Sequence, residues 1–233
     1  MAVSLPIVLV PGLNCSPRLY APQVPELWHF GPVTVADHTR DDSIAAIARR
    51  ILEAAPPRFA LAGLSMGGYV ALEIVRQSPG RVARLALLDT GARDDPPAAQ
   101  ETRRSRIALA ESGRFAEVNE AMWPVLVHPD RRADAALRQV YLAMCLDVGP
   151  EAFVRQQKAI MARADSRPLL AAIDCPTLVL VGAQDELTPP HLADEMAAGI
   201  KGARLVKVAD CGHISTLEQP EAVTRELIDW MRT

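Results

Sequence analysis

The apolar positions of this chain follow two rhythms. Short, nearly unbroken apolar runs at residues 7–10, 33–36, 59–62 and 85–88, and again at 177–181 and 204–208, are each bounded by turn-forming residues. They predict strands buried on both faces, as in a parallel sheet. The first run belongs to an apolar stretch that starts at Val3. Between the runs, apolar residues recur every three or four positions. Ile44, Ile47, Ala48 and Ile51 share one face of a helix predicted over 43–54, where Ser43 can cap the first turn and Pro56-Pro57 bars continuation. A second helix is predicted over 66–77, ending before Pro79-Gly80, and an amphipathic one over 221–231. Strands and helices alternating in this way build βαβ units, hence a layered α/β domain.

From 93 to 167 the strand rhythm stops, and Ala, Arg, Glu and Leu recur at helical spacing. This predicts an all-helical cap, 93–167, inserted between two segments of one core domain, 1–92 and 168–233. Pro96-Pro97, Gly113, Pro129 and Gly149-Pro150 divide the insertion into three or four helices. Its charges nearly balance, so Arg103, Arg104 and Arg106 read as a solvated helix face, with anion binding as the alternative.

Composition narrows the class. With 49% hydrophobic and 23% charged residues in 233, the chain is globular rather than disordered or fibrous. Its 25 basic and 28 acidic residues leave a net charge of −3, too little positive field for a nucleic-acid backbone or an anionic membrane. A small-molecule substrate is the expected partner. Cys15, Cys145, Cys175 and Cys211 are far apart, without zinc or redox spacing, which suits a reducing, cytoplasmic setting. The N-terminal apolar stretch contains Pro6, lacks a basic flank and ends at Pro11-Gly12, so it reads as a strand rather than a leader. No segment approaches the ~20 apolar residues of a membrane helix. Asn14-Cys15-Ser16 matches a glycosylation sequon that has no consequence in that setting. No H-E-x-x-H, Walker or G-x-G-x-x-G pattern signals a metal or an organic cofactor, and none is expected.

The most informative stretch is Gly63-Leu64-Ser65-Met66-Gly67, a G-x-S-x-G sequence with a predicted strand before it and a helix after it. Such a turn forces its serine out at the strand end, beside the free amides of a new helix. A serine hydroxyl needs a general base, and the base needs a carboxylate to orient it. His213 follows the last predicted strand, on a Gly212-containing loop from which the imidazole can swing towards Ser65. The remaining histidines, His29, His38, His128 and His191, are expected at the surface or at helix ends. Asp185 follows the strand at 177–181 and is the first candidate acid, with Asp89, at the end of the strand before the insertion, as the rival; Glu186 merely adjoins Asp185. Two oxyanion donors are expected, the backbone N–H groups of Met66 and of Leu13 in the Pro11-Gly12-Leu13-Asn14 loop.

With Ser65, Asp185, His213 and the Pro11-Gly12 loop in this order, the chain resembles the α/β-hydrolase superfamily, in particular compact bacterial esterases and lactonases with a helical cap. The resemblance spans almost the whole chain. It implies a three-layer fold with a mostly parallel sheet of about six strands, helices on both faces and the cap entering after Asp89. Relatives usually carry His-Gly where this chain has Pro11-Gly12, and their two leading antiparallel strands are not expected here. The implied activity is cleavage of a small to medium, fairly apolar carboxylic ester, thioester or lactone through an acyl-enzyme at Ser65, without a cofactor. The same three residues also serve C–C or hydroxynitrile cleavage, acyl transfer, and elimination as in the menaquinone-pathway synthase, and a non-catalytic small-ligand receptor is the reading of another class. Dehalogenase and epoxide hydrolase relatives have Asp at the position of Ser65. Tyr20, Tyr69, Met122, Trp123 and Met144, with Asn14 beside the oxyanion loop, are candidate pocket walls, although Met and Trp at helical spacing equally serve as core packing.

Overall fold

The computed structural model describes residues 4–233, and Val3, where the N-terminal apolar stretch starts, lies outside them. Strands β1 (Ile7–Val10), β2 (Val33–Val35), β3 (Phe59–Leu64), β4 (Val82–Leu88), β5 (Thr177–Gly182) and β6 (Arg204–Val208) form one sheet. The spatial order is β2-β1-β3-β4-β5-β6, and every neighbouring pair is parallel. Three strands outrun their apolar signal, β5 by the one residue Gly182 and two others for local reasons. β3 continues through Gly63, and β4 starts at Val82 because Arg84, which interrupts the run, sends its guanidinium out to the Trp230 carbonyl at 3.2 Å.

The helices are α1 (Val24–Leu27), α2 (Ile44–Ala54), α3 (Met66–Gln77), α4 (Pro97–Glu111), α5 (Phe115–Leu126), α6 (Ala135–Met161), α7 (Pro190–Gly199), α8 (Ser215–Glu218) and α9 (Pro220–Arg232). Ser43 caps α2 as its position suggests, its Oγ accepting the Ala46 N–H at 3.2 Å. Alternate residues of β1 serve opposite layers. Ile7 and Leu9 share a core with Leu27, Val223, Leu227 and Trp230 of α1 and α9, whereas Val8 and Val10 share one with Ile47, Ile51, Val70 and Ile74 of α2 and α3. Sheet and two helical layers make the three-layer α/β architecture.

The connection from β4 to β5 is all helical, and the expected breakers act in it. α4 opens at Pro97 and ends before Gly113 (φ 81°), a 3₁₀ turn holds Pro129, and Gly149 (φ 76°) kinks α6 into two segments. Val118, Met122, Leu126, Tyr141 and Phe153 of this insertion join the core cluster that covers one face of the sheet. Among the described residues, no helix is long and apolar enough to cross a membrane. Strand order reverses between β1 and β3, so a crevice is expected at the carboxyl ends of the strands, where functional groups of open α/β sheets collect.

Candidate active site

Ser65 leaves β3 with φ 55° and ψ −118°, a backbone state that costs a residue with a side chain about 1–3 kcal/mol. Its surroundings enforce it. The Ser65 N–H donates to Leu88 O at 2.9 Å, and its carbonyl accepts from the Gly68 N–H and from Thr90 Oγ1, both at 2.8 Å. The turn closes only for want of side chains: a Cβ on Gly63 would lie 2.2 Å from Gly67 O, and one on Gly67 would lie 2.0 Å from Val10 O. Ser65 Oγ makes no capping bond to α3, which leaves the hydroxyl to the cavity that Ser65 lines. Because α3 starts at Met66, its free amides and positive end point into the same space.

Asp185 follows β5 and His213 follows β6. Asp185 Oδ2 lies 2.8 Å from His213 Nδ1 and accepts from Thr188 Oγ1 at 2.6 Å, while Oδ1 accepts the amides of Leu187 and Thr188 at 2.8 and 2.9 Å. The carboxylate is thereby fixed from both oxygens. Burial alone disfavours charge on each partner. In Asp185 it is outweighed by the imidazole's charge and by hydrogen bonds from His213 and Thr188, which hold the carboxyl below its usual range. In His213 it is outweighed by Asp185, which raises the imidazole. With Nδ1 directed at Asp185, Nε2 is the nitrogen left for chemistry.

That shift has a kinetic consequence. A raised imidazole surrenders its basic form at higher pH, so a reaction that needs neutral His213 runs fully on the alkaline side and fails as pH falls through that pKa. The acid limb of kcat/KM for a neutral ester is expected above pH 6.5, the ordinary histidine value. A limb at or below it in a pH-rate series would contradict the coupling to Asp185.

Asp89 sits fully buried one strand away and turns elsewhere. Its Oδ1 accepts the Gly182 N–H at 2.8 Å, and its Oδ2 shares a hydrogen bond with Ser215 Oγ. Burial, reinforced by the negative charge of Asp185, pushes its carboxyl up to about 8. The protonated carboxyl is thereby favoured, and Asp89 braces the end of β4 against β5 and α8. Glu186 points outward to Arg132, 3.1 Å away.

After β1 the chain turns through Pro11-Gly12-Leu13-Asn14, and Leu13 lines the cavity. Among the described residues, neither the Leu13 nor the Met66 amide donates to another protein group. Asn14, at φ 60°, is held by the insertion. Its N–H donates to Gln156 Oε1 at 2.9 Å, and its Nδ2 donates to Asn119 Oδ1 at 2.9 Å and to Cys145 Sγ at 3.1 Å. On the other side of the loop, Gly12 O lies 2.9 Å from His38 Nε2. His38 is thus a buried brace, not the surface residue expected from sequence, and burial lowers its pKa and keeps the ring neutral.

The loop of His213 is clamped rather than free to swing. The His213 and Ile214 amides donate to Leu126 O at 3.0 and 3.2 Å. The Gly212 N–H donates to Glu218 Oε1 at 2.9 Å, and Glu218 Oε2 accepts the His128 N–H at 2.6 Å. Thr188, Asn119, Gln156 and Glu218 escaped sequence reasoning because each is an ordinary polar residue of a loop or helix until the fold sets it beside a loop distant in the chain. Only Thr188, three residues beyond Asp185, stood near a signal.

A cavity of about 460 Å³ lies between the strand ends and the insertion, within the range of small-ligand sites. Ser65, His213, Leu13, Tyr69 and Met122 line it. Four expected wall residues lie elsewhere. Asn14 is buried in the network behind its loop, and Tyr20 is a core residue whose hydroxyl donates to Val10 O at 3.0 Å. Trp123 packs in the insertion, its indole N–H donating to Arg132 O at 2.9 Å, and Met144 is wholly buried there. For Trp123 and Met144, helical spacing signified packing.

A parallel sheet in this order, with a serine elbow after its third strand and an insertion after its fourth, defines a class. The profile of the alpha/beta hydrolase family matches residues 7–226, and the chain belongs to that family. It is 29% identical over 233 aligned positions to the pimeloyl-[acyl-carrier protein] methyl ester esterase of Neisseria meningitidis serogroup B, covering 93% of this chain and 88% of that one. Among solved structures, it is similar to a malate-bound thermophilic esterase from Thermogutta terrifontis, with a TM-score of 0.88, 32% identity, and 98% and 89% of the two chains covered. The enol-lactonase from Burkholderia xenovorans superposes with a TM-score of 0.90 at 26% identity, over 99% of this chain and 92% of that one.

Proposed function

We propose that the protein is a serine esterase that cleaves a small to medium carboxylic ester, lactone or thioester through an acyl-enzyme at Ser65. One observation carries the reading: the strained Ser65 lines the same cavity as His213, whose Nδ1 is held 2.8 Å from the buried Asp185 carboxylate. The names of relatives, two esterases and an enol-lactonase, support the reaction class. Neutral His213 accepts the Ser65 proton at Nε2 as Oγ attacks the carbonyl carbon, and Asp185 keeps the tautomer and stabilises the imidazolium. The Leu13 and Met66 amides hold the oxyanion. His213 then protonates the departing alcohol, and water, deprotonated by the same nitrogen, releases the acid and regenerates Ser65. The insertion, 93–167, acts as a cap over a core made of 1–92 and 168–233. Four unpaired thiols support a reducing, cytoplasmic setting, and the net charge of −3 supports a small-molecule partner over nucleic acid or membrane.

A fluorophosphonate probe, followed by p-nitrophenyl esters of increasing acyl length, tests the proposal. Labelling and turnover are expected in the wild type, with labelling absent in Ser65→Ala. Labelling that persists in Ser65→Ala ends this reading, and labelling without turnover of any ester transfers it to acyl transfer or C–C cleavage.

A further inference from the structure

We propose that the substrate carries a carboxylate remote from its scissile ester, and that Arg106 of α4 binds it. The proposal rests on Ser65 being the nucleophile of an ester-cleaving site and narrows what that site accepts.

The side of α4 turned to the cavity consists of Ala99, Thr102, Arg103 and Arg106, one helical stripe at i, i+3, i+4 and i+7. A helix that merely closed an apolar chamber would present apolar side chains there, as the facing walls Leu13, Met122, Leu126, Ile160 and Ile214 do. Three other arginines line the cavity, and each is already paired. Arg93 meets Glu195 at 2.8 Å; Arg103 bonds Asp95 and, at 2.8 Å, Gln157; Arg163 bonds Asp95 at 2.8 Å and lies 4.2 Å over the Tyr69 ring. Asp95 serves two guanidinium groups at once and Asp94 is the other carboxylate of the lining, so with Arg106 the cavity walls hold four arginines against two aspartates.

Arg106 itself, among the described residues, has no ion pair, no hydrogen bond and no stacked ring, although it is half-buried. Burial, and then the neighbouring charge of Arg103, make its cation less favourable than usual. A half-buried guanidinium without a protein partner is free to bind a ligand, and a carboxylate supplies the two-oxygen partner that its planar fork fits. The solvated-face reading of this arginine cluster holds for Arg104, which is exposed and paired with Glu101, but not for Arg106.

Two matched ester pairs test the subsite: methyl hydrogen adipate against methyl hexanoate, with the charge on the acyl side, and 4-(butanoyloxy)butanoate against butyl butanoate, with the charge on the alcohol side. In the wild type, kcat/KM for at least one charged ester is expected to exceed that of its neutral match about tenfold or more, as a charge-assisted hydrogen bond implies. Arg106→Gln brings that ratio close to one, Arg106→Lys restores part of it, and Arg104→Gln on the same helix keeps it. A ratio near one in the wild type for both pairs, or a preference that survives Arg106→Gln, overturns the proposal. Calorimetry with the Ser65→Ala protein reads the subsite without turnover. Tighter binding of a charged ester than of its match, lost on adding Arg106→Gln, supports the subsite even where Ser65 proves not to be the nucleophile, and equal binding overturns it.

Discussion

Ser65→Ala, His213→Ala and the double variant are expected to lower kcat by one common factor of about 10⁶, rather than by two factors that multiply. The hydroxyl is a weak nucleophile until a base takes its proton, and the base has no proton to take once the hydroxyl is gone. Under the proposed mechanism each single change therefore removes the whole exchange between Oγ and Nε2. What survives is the work of groups neither variant touches. In the proposed mechanism the Leu13 and Met66 amides would still face the oxyanion and the cavity would still orient the ester, which leaves roughly 10³–10⁴ over the uncatalysed rate. Stability separates this result from misfolding. Alanine keeps a Cβ at the φ 55° position, so Ser65→Ala retains the backbone strain of the wild type and its Tm stays close. The check is steady-state kcat on one p-nitrophenyl ester for all four proteins, with thermal melts alongside. A double variant more than about tenfold slower than either single would show two independent contributions and break the serine–histidine unit.

The parts of this site that could be read along the chain are those whose chemistry is local. The elbow needs Gly63 and Gly67 within two residues of Ser65, because β3, α3 and the end of β1 crowd into one turn, and that demand is written into five consecutive positions. Likewise β1 and β6 end where their apolar runs end, since each stops at a loop rich in turn residues. The supports were not readable, because they come from elsewhere in the chain. Gln156 and Asn119 meet Asn14 across more than a hundred residues, and Glu218 spans from Gly212 to His128. The same limit affected the pocket walls. Met122 and Met144 look alike in sequence, yet one lines the cavity and the other packs inside the insertion, a difference of helix rotation rather than residue type. Arg104 and Arg106 differ for the same reason.

The choice between the two carboxylates shows the limit most sharply, and it carries the second large effect. Both Asp89 and Asp185 follow the carboxyl end of a strand, so chain order alone favours one without excluding the other. What separates them is the loop after each. Beyond Asp185 the chain turns so that two amides and Thr188 Oγ1 aim the carboxylate at Nδ1. Asp89 is instead turned to Gly182 and Ser215. Asp185→Asn is expected to cost about 10⁴ in kcat, because an amide N–H₂ facing Nδ1 selects the tautomer with its proton on Nε2, which cannot serve as a base, and because the imidazolium loses its counter-charge. Asp89→Asn is expected to change kcat less than about tenfold, since asparagine reproduces the protonated carboxyl, accepting from Gly182 and donating to Ser215. Its effect belongs to stability, and the sign follows from the raised pKa. Below 3.8, both folded and unfolded states hold the Asp89 proton; between 3.8 and about 8, only the folded state does. The contribution of Asp89 to wild-type stability therefore declines as pH rises through that window and levels off above it. Asparagine, having no such proton, escapes the decline, so the Tm of Asp89→Asn rises relative to wild type between pH 5 and pH 9 melts. Should Asp89→Asn instead prove the slower enzyme, the roles of the two carboxylates are exchanged.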